Sequence, residues 1–141
     1  MWLREKKYLN SFQTNVFPTW KKELSDILWS DLDIIIDWDS VMFDTTPYGE
    51  NEVWYTDVYH RFFTEHYFNM MKNVLTTMCA DDFTKDALKA WLKAISISGI
   101  NESSYPRYEM NAWTLLMKRT PIAAVWSSDE KDMQTFIENN L

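Results

Sequence analysis

Glycine is almost missing from this chain: 141 residues carry only Gly49 and Gly99. Phosphate-cradling loops need closely spaced glycines, so G-x-x-x-x-G-K and G-x-G-x-x-G nucleotide sites are excluded. Cysteine is scarcer still. Cys79 stands alone, which excludes a disulfide framework and a cysteine-based zinc site. No apolar run approaches the ~20 residues of a membrane-spanning helix. The opening Met1-Trp2-Leu3-Arg4-Glu5-Lys6-Lys7 lacks the apolar region of a secretory signal. The expected location is therefore cytoplasmic, with no membrane partner. One further absence is local. Between Glu23 and His60 there is no lysine or arginine at all.

That window holds ten carboxylates: Glu23, Asp26, Asp31, Asp33, Asp37, Asp39, Asp44, Glu50, Glu52 and Asp57. The other eleven acids meet fourteen bases. The net charge of −7 is thus −10 in one window and +3 elsewhere. Like charges repel and weaken the compact state. Among the acids stand Trp29, Trp38, Phe43, Tyr48, Trp54, Tyr55 and Tyr59. Aromatic rings supply interface energy and charge supplies steering, so the combination suits a basic protein partner. The competing reading is a solvated acidic face that keeps the protein soluble. Direct binding to nucleic acid is disfavoured, because phosphates would be repelled.

Length implies one globular domain spanning residues 1–141. With 46% apolar and 16% aromatic residues, the chain can bury a substantial core. Eight tryptophans are many for this length, and each buried indole N–H needs a partner.

Helical spacing places Phe17, Trp20, Leu24, Ile27 and Leu28 on one face, with Pro18 suited to a first turn. Leu32 to Asp39 alternates with period two. Leu32, Ile34, Ile36 and Trp38 fall on one side and Asp33, Ile35, Asp37 and Asp39 on the other, which predicts a half-buried strand with a wet face. Residues 40–53 read as a loop turning at Thr46-Pro47-Tyr48-Gly49. Tyr59, Phe63, Tyr67, Met70 and Val74 mark a helix from about Trp54 to Met78. Asp81-Asp82 reads as a break and N-cap, leading a helix to about Lys93 with Ala87, Leu88, Trp91 and Leu92 inward. Ile95 to Ile97 is a short strand ending near Gly99. Residues 100–108 read as a loop. Ala112 to Lys118 and Pro121 to Trp126 read as strands joined at Arg119-Thr120. Ser127 with Glu130 reads as a capping box for a last helix presenting Met133, Phe136, Ile137 and Leu141. The order α-β-α-α-β-β-β-α predicts an α+β fold: a small mixed or antiparallel sheet of about four strands, with helices on one face.

Isolated reactive groups have structural explanations. His60 and His66, six apart on a helix, point to opposite sides and cannot share a metal. His66 borders the apolar stripe and reads as a core or boundary histidine. Cys79 reads as a buried, inert thiol. Ser127-Ser128 suits capping, and Met70, Met71 and Met78 suit core packing. Arg4, Lys6 and Lys7 beside Trp2 read as a solvated terminal tail.

Two resemblances arise from particular residues. Ile34-Ile35-Ile36-Asp37-Trp38-Asp39-Ser40-Val41 resembles the first motif of haloacid-dehalogenase-type phosphatases. That resemblance implies Asp37 as nucleophile and Asp39 as acid/base beside Mg²⁺, with Asp81-Asp82 as the distal acids. It departs from the family in having Asp33 on the same strand face and no following Ser/Thr-strand or lysine motif. Second, Ile34-x-Ile36-Asp37-Trp38-x-Ser40, then Ala80-Asp81-Asp82-x-x-Lys85-Asp86-Ala87-Leu88 and Ile95-x-Ile97, is similar to small bacterial immunity partners of secreted toxins. This similarity spans roughly residues 20–98 and, more weakly, the C-terminal strand–helix end, and its motifs are structural and mark no catalytic site.

The sequence thus leads to a cytoplasmic, acidic binding protein that neutralises a basic toxin domain, nuclease-like in character, by direct contact. It implies no catalytic residue, no cofactor and no metal. The expected contact residues are Asp33, Asp37 and Asp39 from the strand, followed by Asp44, Tyr48, Glu50, Glu52 and Trp54 from the loop. The alternatives are a Mg²⁺-dependent phosphatase using Asp37 and Asp39, and a mimic of DNA that inhibits a DNA-binding protein.

Overall fold

The computed structural model describes residues 3–42, 60–100, 106–119 and 127–141. Helix α1 spans Leu3–Asn15. The basic start of the chain is therefore helical, not a solvated tail. Tyr8, Phe12 and Val16 recur at four-residue spacing, and Phe12 is buried against Trp20, with ring centroids 5.1 Å apart. Helix α2, Phe17–Leu28, carries Pro18 in its first turn and buries Trp20, Leu24 and Leu28, as the apolar spacing requires.

Helix α2 ends in a Schellman motif. The Ser30 N–H donates to Ser25 O at 3.2 Å and the Trp29 N–H to Asp26 O at 3.4 Å. This places Trp29 in the left-handed region, at φ 56°, where glycine is usual. The Ser25 hydroxyl then accepts from the Leu32 N–H at 3.1 Å, fixing how strand β1, Asp33–Ile36, enters the sheet. A four-residue helical turn, α3, follows at Trp38–Val41. The strand expected to reach Asp39 therefore stops at Ile36, because Asp37 caps a helix, and residues 40 and 41 are helical instead of loop.

Residues 60–78 are helical, as the stripe predicts. A π-helical turn occupies Thr64–Phe68 and α4 continues over Asn69–Met78. His66, Tyr67 and Phe68 are all buried within this turn, and Tyr67 and Phe68 belong to the core. Helix α5, Asp82–Trp91, is capped by Asp81, whose carboxylate accepts from the Thr84 N–H at 2.9 Å and from its hydroxyl at 2.6 Å.

Strand β2, Ala94–Ser98, lies parallel to β1, with Ile34 beside Ile95 and Ile36 beside Ile97. Strands β3, Arg107–Asn111, and β4, Thr114–Lys118, form a hairpin. Strand β4 also runs parallel to β2, giving the order β1-β2-β4-β3. The sheet is mixed, and the fold is α+β as expected. Two boundaries differ from expectation. Residues 107–111 form an edge strand, although only Tyr108 and Met110 face the core and the rest are polar. The expected strand start at Ala112 is the hairpin turn, where Ala112 has φ 55°. The strand expected at Pro121 to Trp126 lies outside the described residues.

One face of the sheet supplies the core. Ile34, Ile95, Ile97, Leu115 and Met117 are buried beneath the helices with Leu24, Leu28, Tyr67, Met71 and Leu88. Helix α6, Ser127–Asn140, adds Met133 and Ile137, and Phe136 packs tilted against Tyr108, ring centroids 5.7 Å apart. Leu141, expected inward, is exposed. Among the described residues no helix is long and apolar enough to cross a membrane.

Candidate protein-binding face at the end of strand β1

The alternation of β1 is realised in space. Leu32 and Ile34 are buried, whereas Asp33, Ile35, Asp37 and Asp39 are exposed. The six acids of the window that lie among the described residues nevertheless fall into two groups. Glu23 faces Lys72 at 3.3 Å, Asp26 faces Lys22 at 3.0 Å, and Asp33 faces Lys21 at 3.7 Å. These lysines lie outside the acidic window in sequence and are returned to it by helix geometry and tertiary packing. Asp31, Asp37 and Asp39 make no ion pair among the described residues. Among the window's described acids, those without an ion pair therefore lie around β1 and α3.

Asp37 and Asp39 sit on a rigid support. The Asp37 N–H donates to Ile97 O at 2.9 Å, which ties the strand end to β2. Its carboxylate accepts from the Ser40 N–H at 3.4 Å and caps α3. Asp39 occupies the first turn of α3, so the two carboxylates do not share a strand face as the phosphatase resemblance implied. The Ser40 hydroxyl donates to Asp37 O at 2.8 Å and accepts from the Gly99 N–H at 2.8 Å. Gly99 is required for this approach: a Cβ there would lie 2.0 Å from Ser40 O. Val41, one residue on, is fully buried and anchors α3 from below.

Asp44, Tyr48, Glu50, Glu52 and Trp54 lie outside the described residues. Of the window's described tryptophans, Trp38 is half-buried in an aromatic cluster with Phe12, Phe17 and Phe63 at 5.5–6.2 Å. Trp29 is 73% exposed. The Lys85 ammonium lies 3.4 Å above its ring, an arrangement that exploits the negative face of the indole. Ser25, Asp26, Trp29, Ser30 and Asp31 together line a shallow open depression.

The remaining candidates resolve as structure. Asp81 caps α5 and is not the end of a strand, so it does not stand where a distal acidic motif would. The hydrogen bonds from Thr84 hold its carboxyl below the usual range. His66 is buried against Phe62 at 5.1 Å, and His60 is exposed. Cys79 is half-buried, less enclosed than its sequence context suggested, and desolvation still pushes its thiol up. Among the described residues no three His, Cys, Asp or Glu side chains group as a metal site.

One feature was not legible in the sequence. Arg119, expected in a short turn between two strands, has no exposed surface and pairs with the buried Asp129 at 3.3 Å. Its carbonyl accepts from the Tyr67 hydroxyl at 2.9 Å, and its N–H donates to Ser98 O at 2.9 Å. Burial pushes the Tyr67 and Tyr108 hydroxyls well above their usual range, while the Arg119 charge opposes that shift. A fully enclosed pair cannot meet a macromolecule and serves to join β4 to α6. Nothing in the local sequence distinguishes Arg119 from a surface arginine. No protein-family model, curated protein or solved structure matches this chain.

Proposed function

We propose that this protein binds and inhibits a basic protein, most concretely as the immunity partner of a basic toxin domain. The observation that carries the reading is the contrast within the acidic window. Glu23, Asp26 and Asp33 are answered by the chain's own lysines, whereas Asp31, Asp37 and Asp39 are exposed and make no ion pair among the described residues. Unpaired carboxylates on a rigid support accelerate association with a cationic surface and offer charge-assisted bonds on contact. The support here is a strand end tied to β2 and a capped turn seated on Gly99. Asp44, Tyr48, Glu50, Glu52 and Trp54 follow directly in sequence and extend the proposed interface.

The test is capture from the source cells with tagged wild-type protein and with a D31K/D37K/D39K variant, at low and at high salt. The expected result is a basic protein held by the wild type, weakened by salt, and lost from the variant. Its activity should fall stoichiometrically when wild-type protein is added. Equal retention by a correctly folded variant would overturn the proposal.

A further inference from the structure

The depression beside Trp29 has a composition that selects what can fill it. Its lining is Ser25, Asp26, Trp29, Ser30 and Asp31. The neutral groups there are already engaged. The Ser25 hydroxyl accepts from the Leu32 N–H at 3.1 Å and donates to Leu32 O at 3.4 Å, and the Ser30 N–H donates to Ser25 O. Asp26 holds Lys22 at 3.0 Å, whereas Asp31 makes no ion pair among the described residues. What is left to meet a ligand is the exposed indole of Trp29 and the carboxylate of Asp31. An apolar occupant would strand that carboxylate away from water, and an anion would be repelled by it. A cation satisfies both groups.

The chain already uses this chemistry, since the Lys85 ammonium lies 3.4 Å above the same ring. Lys85 does not line the depression, which therefore adjoins the part of the indole that this ammonium leaves open. We infer that the depression receives an arginine side chain of a basic protein, its guanidinium stacked on Trp29 and forked to Asp31. Arginine suits the site better than lysine, because its planar group lies flat on a ring while offering two N–H donors to one carboxylate. Tryptophan and arginine are also the side chains on which interface energy concentrates. The partner's basic character rests on the proposed inhibitor function, to which Trp29 adds an aromatic anchor.

The occupant is a protein side chain and not a free small cation because the depression is shallow and does not stand alone. Asp31 precedes β1 and Asp37 follows it, a separation of roughly 20 Å at the rise of an extended chain. A surface carrying several bases meets both ends of that strand at once, which a small ion cannot do. The position of Trp29 agrees. It occupies the left-handed site at the end of α2, at φ 56°, where glycine is usual, and its ring is 73% exposed. The ring adds little to the core, so its use lies in contact. Lys85 places a like charge beside the incoming guanidinium and so restrains the affinity of the site.

Titration of the purified full chain with a hexa-arginine peptide tests this, read by NMR of the indole N–H signals and by anisotropy of the labelled peptide. The Trp29 signal, identified by its loss in Trp29→Phe, should shift and saturate. The signal of Trp113, also exposed but on the hairpin turn, should stay nearly still. Trp29→Ala and Asp31→Asn should each raise the peptide's Kd about two- to fivefold, the scale of an exposed cation–π contact or ion pair. Lys85→Met keeps the aliphatic stem and removes the like charge, so it should lower Kd by more than Lys89→Met, an equal charge change on the same helix. Hexalysine should bind more weakly than hexa-arginine. Asp31 is exposed and engages no buried group, so its variant stays decisive even where Trp29→Ala disturbs the helix end. A Trp29 signal that does not respond, or responds no more than Trp113, overturns the inference. So does a Kd indifferent to both Trp29→Ala and Asp31→Asn, or hexalysine binding as tightly as hexa-arginine. These outcomes leave the capture experiment standing, whereas a responsive Trp29 with no basic protein captured overturns the inhibitor reading alone.

Discussion

Substituting Gly99 with alanine should unseat the acidic turn. The added Cβ would sit 2.0 Å from Ser40 O and 2.7 Å from Ser40 C. These are backbone atoms, so no rotamer change relieves the clash. The two segments must part by more than an ångström to reach the 3.4 Å at which contact becomes ordinary. That movement stretches the 2.8 Å bond from the Gly99 N–H to the Ser40 hydroxyl. Overpacking costs about 1–3 kcal/mol and the lost hydrogen bond about 1 kcal/mol. The expected loss is therefore about 2–4 kcal/mol, or roughly 8–16 °C in Tm for a chain of this size. Urea denaturation followed by circular dichroism measures it. Ser40→Ala is the control: it removes the hydroxyl and its two hydrogen bonds without the clash and should cost about 1–2 kcal/mol. Adding Ser40→Ala to Gly99→Ala should not rescue stability, since the obstruction is the carbonyl. A Gly99→Ala protein within about 0.5 kcal/mol of wild type, the range of ordinary surface substitutions, would refute the steric account.

Asp129→Ala removes the carboxylate facing the enclosed Arg119 guanidinium and should cost about 3–5 kcal/mol, whereas replacing both by Met and Leu should be near neutral or stabilising; chemical denaturation of both variants checks the pair. Ala112→Gly relieves a left-handed alanine at the hairpin turn and should raise stability by about 1 kcal/mol, read as a higher urea midpoint at unchanged slope. Asp81 has a folded pKa held below its ordinary value by Thr84. Its stabilising contribution is therefore complete above the ordinary carboxylate range and disappears as pH falls through the lowered folded value. Asp81→Asn keeps the cap but does not titrate, so acid melts of the variant should lack that part of the pH dependence.

Much of the framework was readable from local patterns. Period two in residues 32–37 gave the inward and outward sides of β1, and the Phe63, Tyr67, Met70, Val74 stripe gave the central helix. Asp81-Asp82 announced a break and a cap, which the structure assigns to Asp81. Errors arose where local signal is weak or competes. Helix α1 opens with charged residues, and within it only Tyr8 and Phe12 stand four apart as an apolar thread. Strand β3 is an edge strand with only two inward residues, so it resembles a loop. Strand β1 ends at Ile36 because capping of α3 by Asp37 replaces continued alternation.

The acidic window shows the division most clearly. By itself the sequence determined that ten carboxylates fall together without a base, because charge count needs no fold. Which of them stay uncompensated was decided by tertiary structure. Helix α2 presents Lys21 and Lys22, and packing brings Lys72 from α4 to Glu23. Those contacts place opposite charges within 4 Å, where Coulomb attraction is effective, although the sequence assigns them to different regions. The same holds for Arg119, which reads as a turn residue and becomes an enclosed ion pair only when β4 and α6 converge. It holds as well for Gly99, whose need to be glycine comes from Ser40, fifty-nine residues away. Periodicity records which side of an element is apolar. What each side meets depends on contacts between distant segments, and these exist only in the folded chain.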